Sequence, residues 1–132
     1  MDFKKLANQY RDELLDNVLP FWLEHSQDLE FGGYFSCLDR EGKVFDTDKF
    51  IWLQGREVWM FSMLYNKVEK RQEWLDCAVQ GGEFLKKYGH DGNYNWYFSL
   101  DRSGRPLVEP YNIFSYTCLL YTSPSPRDYA AS

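Results

Sequence analysis

The chain has 132 residues, a formal net charge of -5 and an aromatic content of 19%. This length is sufficient for one domain with a core, and no shift in composition divides it. The acidic balance and the lack of a basic block argue against a nucleic-acid or anionic-membrane partner. The many aromatic residues indicate a large core, a site for flat or sugar-like ligands, or both.

The N-terminal sequence MDFKKLANQYRDE lacks the apolar stretch of a secretory signal. No apolar run reaches the roughly eighteen residues that a membrane-spanning helix needs. We therefore expect a soluble cytoplasmic protein. The cysteines, Cys37, Cys77 and Cys118, have no paired metal-ligand spacing, so we interpret them as reduced structural thiols and expect no metal site.

The first predicted helix covers residues 2–24, and Pro20 is expected to bend its last turn. Apolar residues recur along it at steps of three and four, which predicts a single stripe that faces the core. The members of this stripe are Leu6, Tyr10, Leu14, Val18, Phe21 and Trp22. Residues 34–45 follow as a short hairpin, because aromatic and β-branched residues flank a polar corner at 39–42.

The second helix is predicted over residues 48–68 and the third over 72–88. Gly81 and Gly82 lie within the third helix, where a neighbouring backbone could approach closely. Beyond it, WYFSLDRSGRPL at 96–107 repeats YFSCLDREGKVF at 34–45 with one residue deleted. Helices that alternate with repeated hairpins predict a ring of helical hairpins, in which each unit covers its neighbour. Pro110 then opens a fourth helix.

Arg56 is the residue of this chain that most suggests chemistry. It lies in KFIWLQGREVWMFSMLYN, a helix that is apolar nearly all round, so we expect a buried guanidinium that receives an anionic or oxygen-rich group. By their spacing, Arg56 is predicted to share one helical face with Trp52, Trp59, Met60 and Met63. Trp52 precedes Arg56 by one turn and could pack on the apolar face of a sugar. The alternatives are core packing for Trp52 and a structural ion pair for Arg56 with Asp48 or groups near Glu57.

The end of the chain, CLLYTSPSPRDYAAS, differs in character from the rest. One choice of codons for residues 118–128 resembles an adapter used in sequencing-library preparation, and the alternative is a flexible Ser/Pro-rich tail. We therefore divide the chain into residues 1–117, an N-terminal portion of a larger fold, and residues 118–132, a non-native tail. A fold cut within its fourth helix leaves apolar faces uncovered, so we expect the chain alone to be insoluble or molten.

Residues 21–66 resemble the start of the N-acylglucosamine 2-epimerase family, and GGEFLKKYG, LDRSGRPL and EPYNIFSYT fall where that family has similar segments. The resemblance implies an all-α fold, the N-terminal part of an (α/α)6 toroid of helical hairpins with short β-hairpin connections. It also implies an isomerase that interconverts N-acetylglucosamine and N-acetylmannosamine by removing and returning a proton at C2. The matching arginine of the family contacts the sugar oxygen, which gives Arg56 the role of stabilising an oxyanion.

By the same resemblance, the two proton-transferring groups are histidines beyond this sequence, so the fragment alone should be inactive. His25 and His90 match no catalytic pattern, and we interpret them as solvated or capping residues. Tyr111, with Asn112 and Phe114, could reach the mouth of the cavity, although core packing is the usual role of such residues. No cofactor is expected to be required. Activation by a nucleotide and a homodimer at full length are further expectations from the resemblance.

Other functions are open at this stage. Mannose isomerases and cellobiose 2-epimerases are the nearest alternatives within the superfamily. A glycoside hydrolase or lyase on a helical ring would use paired carboxylates, for which Asp48, Glu57 and Glu109 are the candidates. A non-enzymatic binding protein is the third class. Incubating the full-length protein with N-acetylmannosamine in deuterated water separates these classes, because only proton exchange at C2 labels the sugar there.

Overall fold

The computed structural model describes residues 2–93 and 95–108. The helices are α1 (Phe3–Glu13), α2 (Leu19–His25), α3 (Ile51–Lys67) and α4 (Gln72–Tyr88), with a π-helical segment at Leu14–Val18 between the first two. The strands are β1 (Cys37–Leu38), β2 (Val44–Asp46), β3 (Lys49–Phe50), β4 (Ser99–Leu100) and β5 (Pro106–Val108). One antiparallel sheet contains β1 and β2, and the other has the order β3-β4-β5.

The predicted first helix forms as one continuous helical run from α1 through the π-helical segment to α2. Asp2 caps its start by accepting the backbone N–H groups of Lys4 and Lys5 at 3.1 Å each. Pro20 is the second residue of α2 and cannot donate a backbone N–H to the preceding turn, which lies in the π-helical segment. The irregularity in this helical run is that segment, and the bend expected at Pro20 stays a prediction.

The prediction that the stripe of this first helix faces the core is wrong for the described chain. Its members Leu6, Tyr10, Leu14 and Val18 are all exposed, and α1 buries none of its residues. Periodicity identifies an apolar face, but a face becomes core only where another element covers it. In the described residues, the core reaches this helical run at Leu19, which is buried at the start of α2, and at Leu15 and Leu23, which are partly buried beside it.

The core lies between α3 and α4, the helices predicted over 48–68 and 72–88. Residues 26–50, between α2 and α3, are called the first connection. One cluster joins α2, the first connection, α3 and α4, and consists of Leu19, Tyr34, Phe61, Leu64, Trp74, Cys77 and Ala78. A second cluster lies nearer the strands and consists of Ile51, Phe84, Leu85 and Leu100. The first cluster packs the C-terminal half of α3 against the N-terminal half of α4, and the second packs the start of α3 against the end of α4.

Gly81 is required for this packing, whereas Gly82 is not. A Cβ atom at Gly81 would lie 2.1 Å from the Tyr34 hydroxyl, which donates a hydrogen bond to the Cys77 carbonyl at 2.7 Å. A Cβ atom at Gly82 would meet nothing within 4 Å. The close approach predicted for both glycines thus occurs at Gly81 alone, and the approaching group is a side chain rather than a backbone.

The predicted repeat is confirmed as a structural repeat. In the first turn the Asp39 N–H donates to the Lys43 carbonyl at 3.0 Å, and in the second the Asp101 N–H donates to the Arg105 carbonyl at 2.8 Å. Gly42 and Gly104 follow at equivalent positions with φ of 83° and 93°. Each glycine packs on the ring that ends the preceding helix, contributed by His25 and by Tyr88 respectively.

The order of helix, hairpin, helix pair and hairpin matches the sequence-based prediction, so a largely helical fold with short β-hairpin connections is confirmed. No helix in the described residues is long and apolar enough to cross a membrane. The division of the chain at residues 117 and 118, and the predicted fourth helix, lie outside the described residues.

Candidate active site on helix α3

Helix α3 has two faces with opposite environments. Its buried residues, which pack toward α4 and the connections, are Ile51, Gln54, Gly55, Phe61 and Leu64. Its exposed face presents Trp52, Arg56, Trp59 and Met63, which are spaced as one helical stripe. Large apolar side chains on this stripe are more than a third exposed, at 36% for Trp52, 40% for Trp59 and 38% for Met63. An aromatic surface with a cation in its centre is suited to a polar ligand with an apolar face.

The prediction of a buried Arg56 guanidinium is wrong for the described chain, since Arg56 is exposed. Its contact is with Trp52, whose ring centroid lies 5.9 Å from the guanidinium carbon, at the outer limit of a cation–π interaction. The alternative of a structural ion pair is also not found, because no carboxylate lies within 4.0 Å of the guanidinium nitrogens in residues 2–93 and 95–108. Among the residues that the structure describes, the Arg56 charge therefore has no carboxylate partner.

The first turn of α3 is held by a buried ion pair that the sequence did not reveal. Lys49, in the strand immediately before α3, is fully buried and donates to Asp28 Oδ2 at 2.9 Å. The same Nζ donates to the carbonyls of Gly32 at 2.6 Å and Arg102 at 2.9 Å. All three ammonium protons therefore have acceptors, which compensates for burying the charge.

Asp28 is the centre of this cluster, which we call the Asp28 node and which consists of Asp28, Lys49 and Arg102. Arg102 makes a two-pronged contact, with Nε 2.9 Å from Oδ2 and Nη2 3.1 Å from Oδ1 of Asp28. Burial alone would raise the pKa of Asp28, but hydrogen bonds from Arg102, Lys49 and the backbone outweigh it and lower the pKa to about 2. Burial lowers the pKa of Lys49, and Asp28 opposes that change.

Two glutamines fix the first connection against α3 and α4. Gln54 accepts the Tyr34 N–H at 2.8 Å and donates to the Tyr34 carbonyl at 2.8 Å. Gln80 does the same for Gly33, accepting its N–H at 2.9 Å and donating to its carbonyl at 2.9 Å. Each amide thus satisfies both backbone groups of one buried loop residue. The Asp28 node and the hydrogen bonds of Gln54 and Gln80 together fix the position of α3, and therefore of Arg56, relative to the hairpins.

Glu57 follows Arg56 but serves a different environment, because consecutive helical positions are about 100° apart. Its carboxylate accepts a hydrogen bond from the Ser26 hydroxyl. Burial raises the pKa of Glu57 to about 7, although the Ser26 hydrogen bond acts in the opposite direction. Asp48 is half-buried just before β3, where its N–H donates to Asp46 Oδ1 at 2.9 Å, and Glu109 lies outside the described residues. The paired carboxylates of a glycosidase therefore stay a prediction.

The two histidines have structural contacts in the connections. The His25 ring packs on Phe21 with a centroid distance of 4.9 Å, and the His90 ring packs on Trp96 at 5.1 Å. His90 Nδ1 also accepts the Gly92 N–H at 3.0 Å. No group of three or more potential metal ligands is present among the described residues. Tyr111, Asn112 and Phe114 lie outside the described residues.

Comparison with known proteins assigns the family. The model of the family described as N-acylglucosamine 2-epimerase (GlcNAc 2-epimerase) matches residues 33–125, which include α3 and both hairpins. The chain belongs to the N-acylglucosamine 2-epimerase family. The match contains Trp52 and Arg56, so the stripe identified on α3 is part of a segment that the family shares. The resemblance stated from the sequence is confirmed.

Relatives of this family extend the comparison. The chain is 48% identical over 108 residues to the N-acylglucosamine 2-epimerase of Mus musculus, covering 79% of this chain and 26% of that protein. It is 30% identical over 123 residues to the cellobiose 2-epimerase of Dictyoglomus turgidum, covering 92% of this chain and 31% of that protein. The chain thus spans about a quarter to a third of the length of these relatives.

A solved structure supports the same assignment at the level of the fold. The crystal structure of a sugar epimerase from a ruminal bacterium superimposes with a TM-score of 0.80 at 28% identity. The match covers 89% of this chain and 30% of that chain. The helix and hairpin arrangement described above is therefore one that a sugar epimerase contains.

Proposed function

We propose that this chain is the N-terminal part of a longer sugar 2-epimerase, here termed the parent protein, that interconverts N-acetylglucosamine and N-acetylmannosamine. The observation that carries this proposal is the exposed stripe on α3, where Arg56 lies beside Trp52 and opposite a fully packed face. The identity to the murine N-acylglucosamine 2-epimerase favours the N-acetylated sugars. In the parent protein the stripe would line the central cavity of an (α/α)6 toroid.

The proposed reaction begins with the open-chain aldose. A base removes the proton at C2, electrons move into the C1–C2 bond and negative charge develops on the C1 oxygen. A second group then returns a proton to the opposite face of C2 as the carbonyl re-forms. Arg56 stays cationic and would stabilise the oxygen as it becomes negative, while Trp52 would pack on the apolar face of the sugar. The two proton-transferring groups are expected elsewhere in the parent protein.

Deuterium incorporation tests this proposal. The parent protein is incubated with N-acetylmannosamine in deuterated water, and both amino sugars are expected to carry deuterium at C2. Replacing Arg56 with methionine should lower kcat by about 10²- to 10³-fold, as expected for the loss of one oxyanion-stabilising group. Arg11→Met is the matched control, because Arg11 is an exposed arginine paired with Asp12 on α1. Unchanged turnover in Arg56→Met would refute the role of Arg56.

Substrate choice is tested in the same assay. The identity of 30% to a cellobiose 2-epimerase makes cellobiose the second candidate substrate, and unmodified mannose is the third. Fructose labelled with deuterium at C1, formed from mannose as by a mannose isomerase, or deuterium at C2 of the reducing unit of cellobiose, without labelling of the amino sugars, would replace the N-acetyl assignment. A parent protein that labels none of these sugars would refute the epimerase proposal. Nucleotide activation, a homodimer and a cytoplasmic location remain predictions.

A further inference from the structure

The two hairpins are equivalent residue by residue at an offset of 62 positions. In each, the first strand pairs antiparallel with the second in the same register, with an irregularity at the same step. The equivalent pairs are Cys37 with Asp46 and Ser99 with Val108, and Leu38 with Val44 and Leu100 with Pro106. A difference in the surroundings of the two hairpins therefore reflects what each contacts and not a different local fold.

The second hairpin has a neighbour that the first lacks. Strand β3, which leads into α3, pairs with β4 on the side away from β5, with Lys49 opposite Leu100 and Phe50 opposite Ser99. In residues 2–93 and 95–108, β1 has a pairing partner only in β2. Burial follows this difference, because Leu100 is fully buried whereas its equivalent Leu38 is half-buried.

The arginines of the two turns differ in the same way. Arg102 reaches from the second hairpin to Asp28 in the first connection and binds both carboxylate oxygens. Its equivalent Arg40, in the same LDR sequence, is exposed and makes no ion pair with the other described residues. The side of β1 away from β2, together with Arg40, is called the open edge below. Among the described residues, this edge of β1 has no paired strand and Arg40 has no ion-pair partner.

We propose that the open edge is a docking surface for a further copy of this helix–hairpin unit, contributed by a part of the parent protein outside this chain. The two-residue strand before that unit's inner helix would pair with β1, as β3 pairs with β4. An aspartate in the connection of that unit would accept Arg40, as Asp28 accepts Arg102. This inference rests on the proposed function only in requiring a parent protein with further units. The expected occupant carries a strand equivalent to β3 and a carboxylate equivalent to Asp28, because these are the groups that bind the second hairpin.

Hydrogen exchange in the parent protein tests this inference with an internal standard. Amides in residues 37–40 should exchange within about tenfold of those in residues 99–102, because both first strands would then be paired on two sides. Arg40→Met should accelerate exchange in 37–40 by more than tenfold and leave 99–102 unchanged, and Arg40→Lys should restore part of the protection. If Arg40→Met prevents folding, comparing exchange in residues 37–40 and 99–102 of the unmodified protein still tests whether the open edge is paired.

Three outcomes overturn the inference. Exchange in 37–40 that is about a hundredfold faster than in 99–102 would show that the edge stays open. Protection that rises with protein concentration would assign the edge to a second copy of the protein. Protection that Arg40→Met does not change would remove the ion pair from the interface. None of these readouts uses catalysis, so a protected edge in a protein that fails to label N-acetylmannosamine would refute the epimerase proposal alone.

Discussion

Replacing Lys49 with methionine should destabilise the protein more than any surface substitution. Lys49 has no exposed side-chain surface, and its three hydrogen bonds end on Asp28, Gly32 and Arg102. Methionine fills a similar volume but leaves two backbone carbonyls without a donor and Asp28 with Arg102 as its remaining cationic partner. Removing one member of a buried ion pair typically costs about 3–5 kcal/mol. Because Arg102 remains, we expect a loss near the lower end, about 3 kcal/mol.

Urea unfolding of the parent protein, followed by circular dichroism, measures this loss as a change in the free energy of unfolding. Arg11→Met is the control, since the surface pair of Arg11 with Asp12 should contribute little. The double variant Asp28→Asn with Lys49→Met should lose less than the sum of the two single variants, because it removes both members of the pair. A loss below about 1 kcal/mol in Lys49→Met, or strict additivity in the double variant, would refute the reasoning.

Two further predictions concern Glu57 and the glycines of α4. The folded-state pKa of Glu57 is raised to about 7 from an ordinary 4.5, so the folded protein binds a proton that the unfolded chain has lost. Stability should therefore fall as pH rises from about 4.5 to 7. Glu57→Gln should flatten that part of a melting-temperature profile and stabilise the protein at pH 8, whereas an unchanged profile would contradict the shift. Gly81→Ala should cost about 1–3 kcal/mol, since its methyl group would collide with the Tyr34 hydroxyl. Gly82→Ala is the matched variant and should stabilise by about 0.5–1 kcal/mol through helix propensity. Equal effects of the two alanines in chemical denaturation would refute the packing difference.

The sequence predicted helices and turns well because their signals are local. The three- and four-residue periodicity of α3 and α4 lies within each segment, and both helices form close to the predicted residues. The hairpins were found for the same reason, since an aspartate followed three residues later by a glycine specifies each turn. Asp39 with Gly42 and Asp101 with Gly104 make equivalent hydrogen bonds.

The Asp28 node could not be predicted because its contacts join distant residues. Lys49 is 21 positions from Asp28, and Arg102 is 74 positions from it. Lysine is usually found at the protein surface, so the residue type predicts an exposed side chain for Lys49. The internal repeat does not reveal the Asp28 node either, because the position 62 residues after Lys49 is occupied by Tyr111 and not by a lysine.

For Arg56, the sequence predicted which residues share its helical face but not whether that face is covered. The period of α3 placed Trp52, Arg56, Trp59 and Met63 on one stripe, and the structure confirms that grouping. Met60, which was expected with them, is instead partly buried against the core. Period alone does not determine which stripe of a helix is covered, because coverage depends on neighbours far away in the sequence. The expectation of burial therefore failed while the expectation of a shared face held.

The exposure of Arg56 links the two proposals physically. At a separation of 4 Å, a cation and an oxyanion attract by about 1 kcal/mol in bulk water and about 4 kcal/mol in a partly shielded site. An Arg56 that faces open solvent could therefore contribute little to stabilising an enediolate oxygen. Its contribution would rise once other units close around the exposed stripe and exclude water. The open edge at β1 and Arg40, on the sheet that does not contain β3, is where such a unit would dock. Docking there would help to close the fold, and the proposed oxyanion site would strengthen as that closure excludes water.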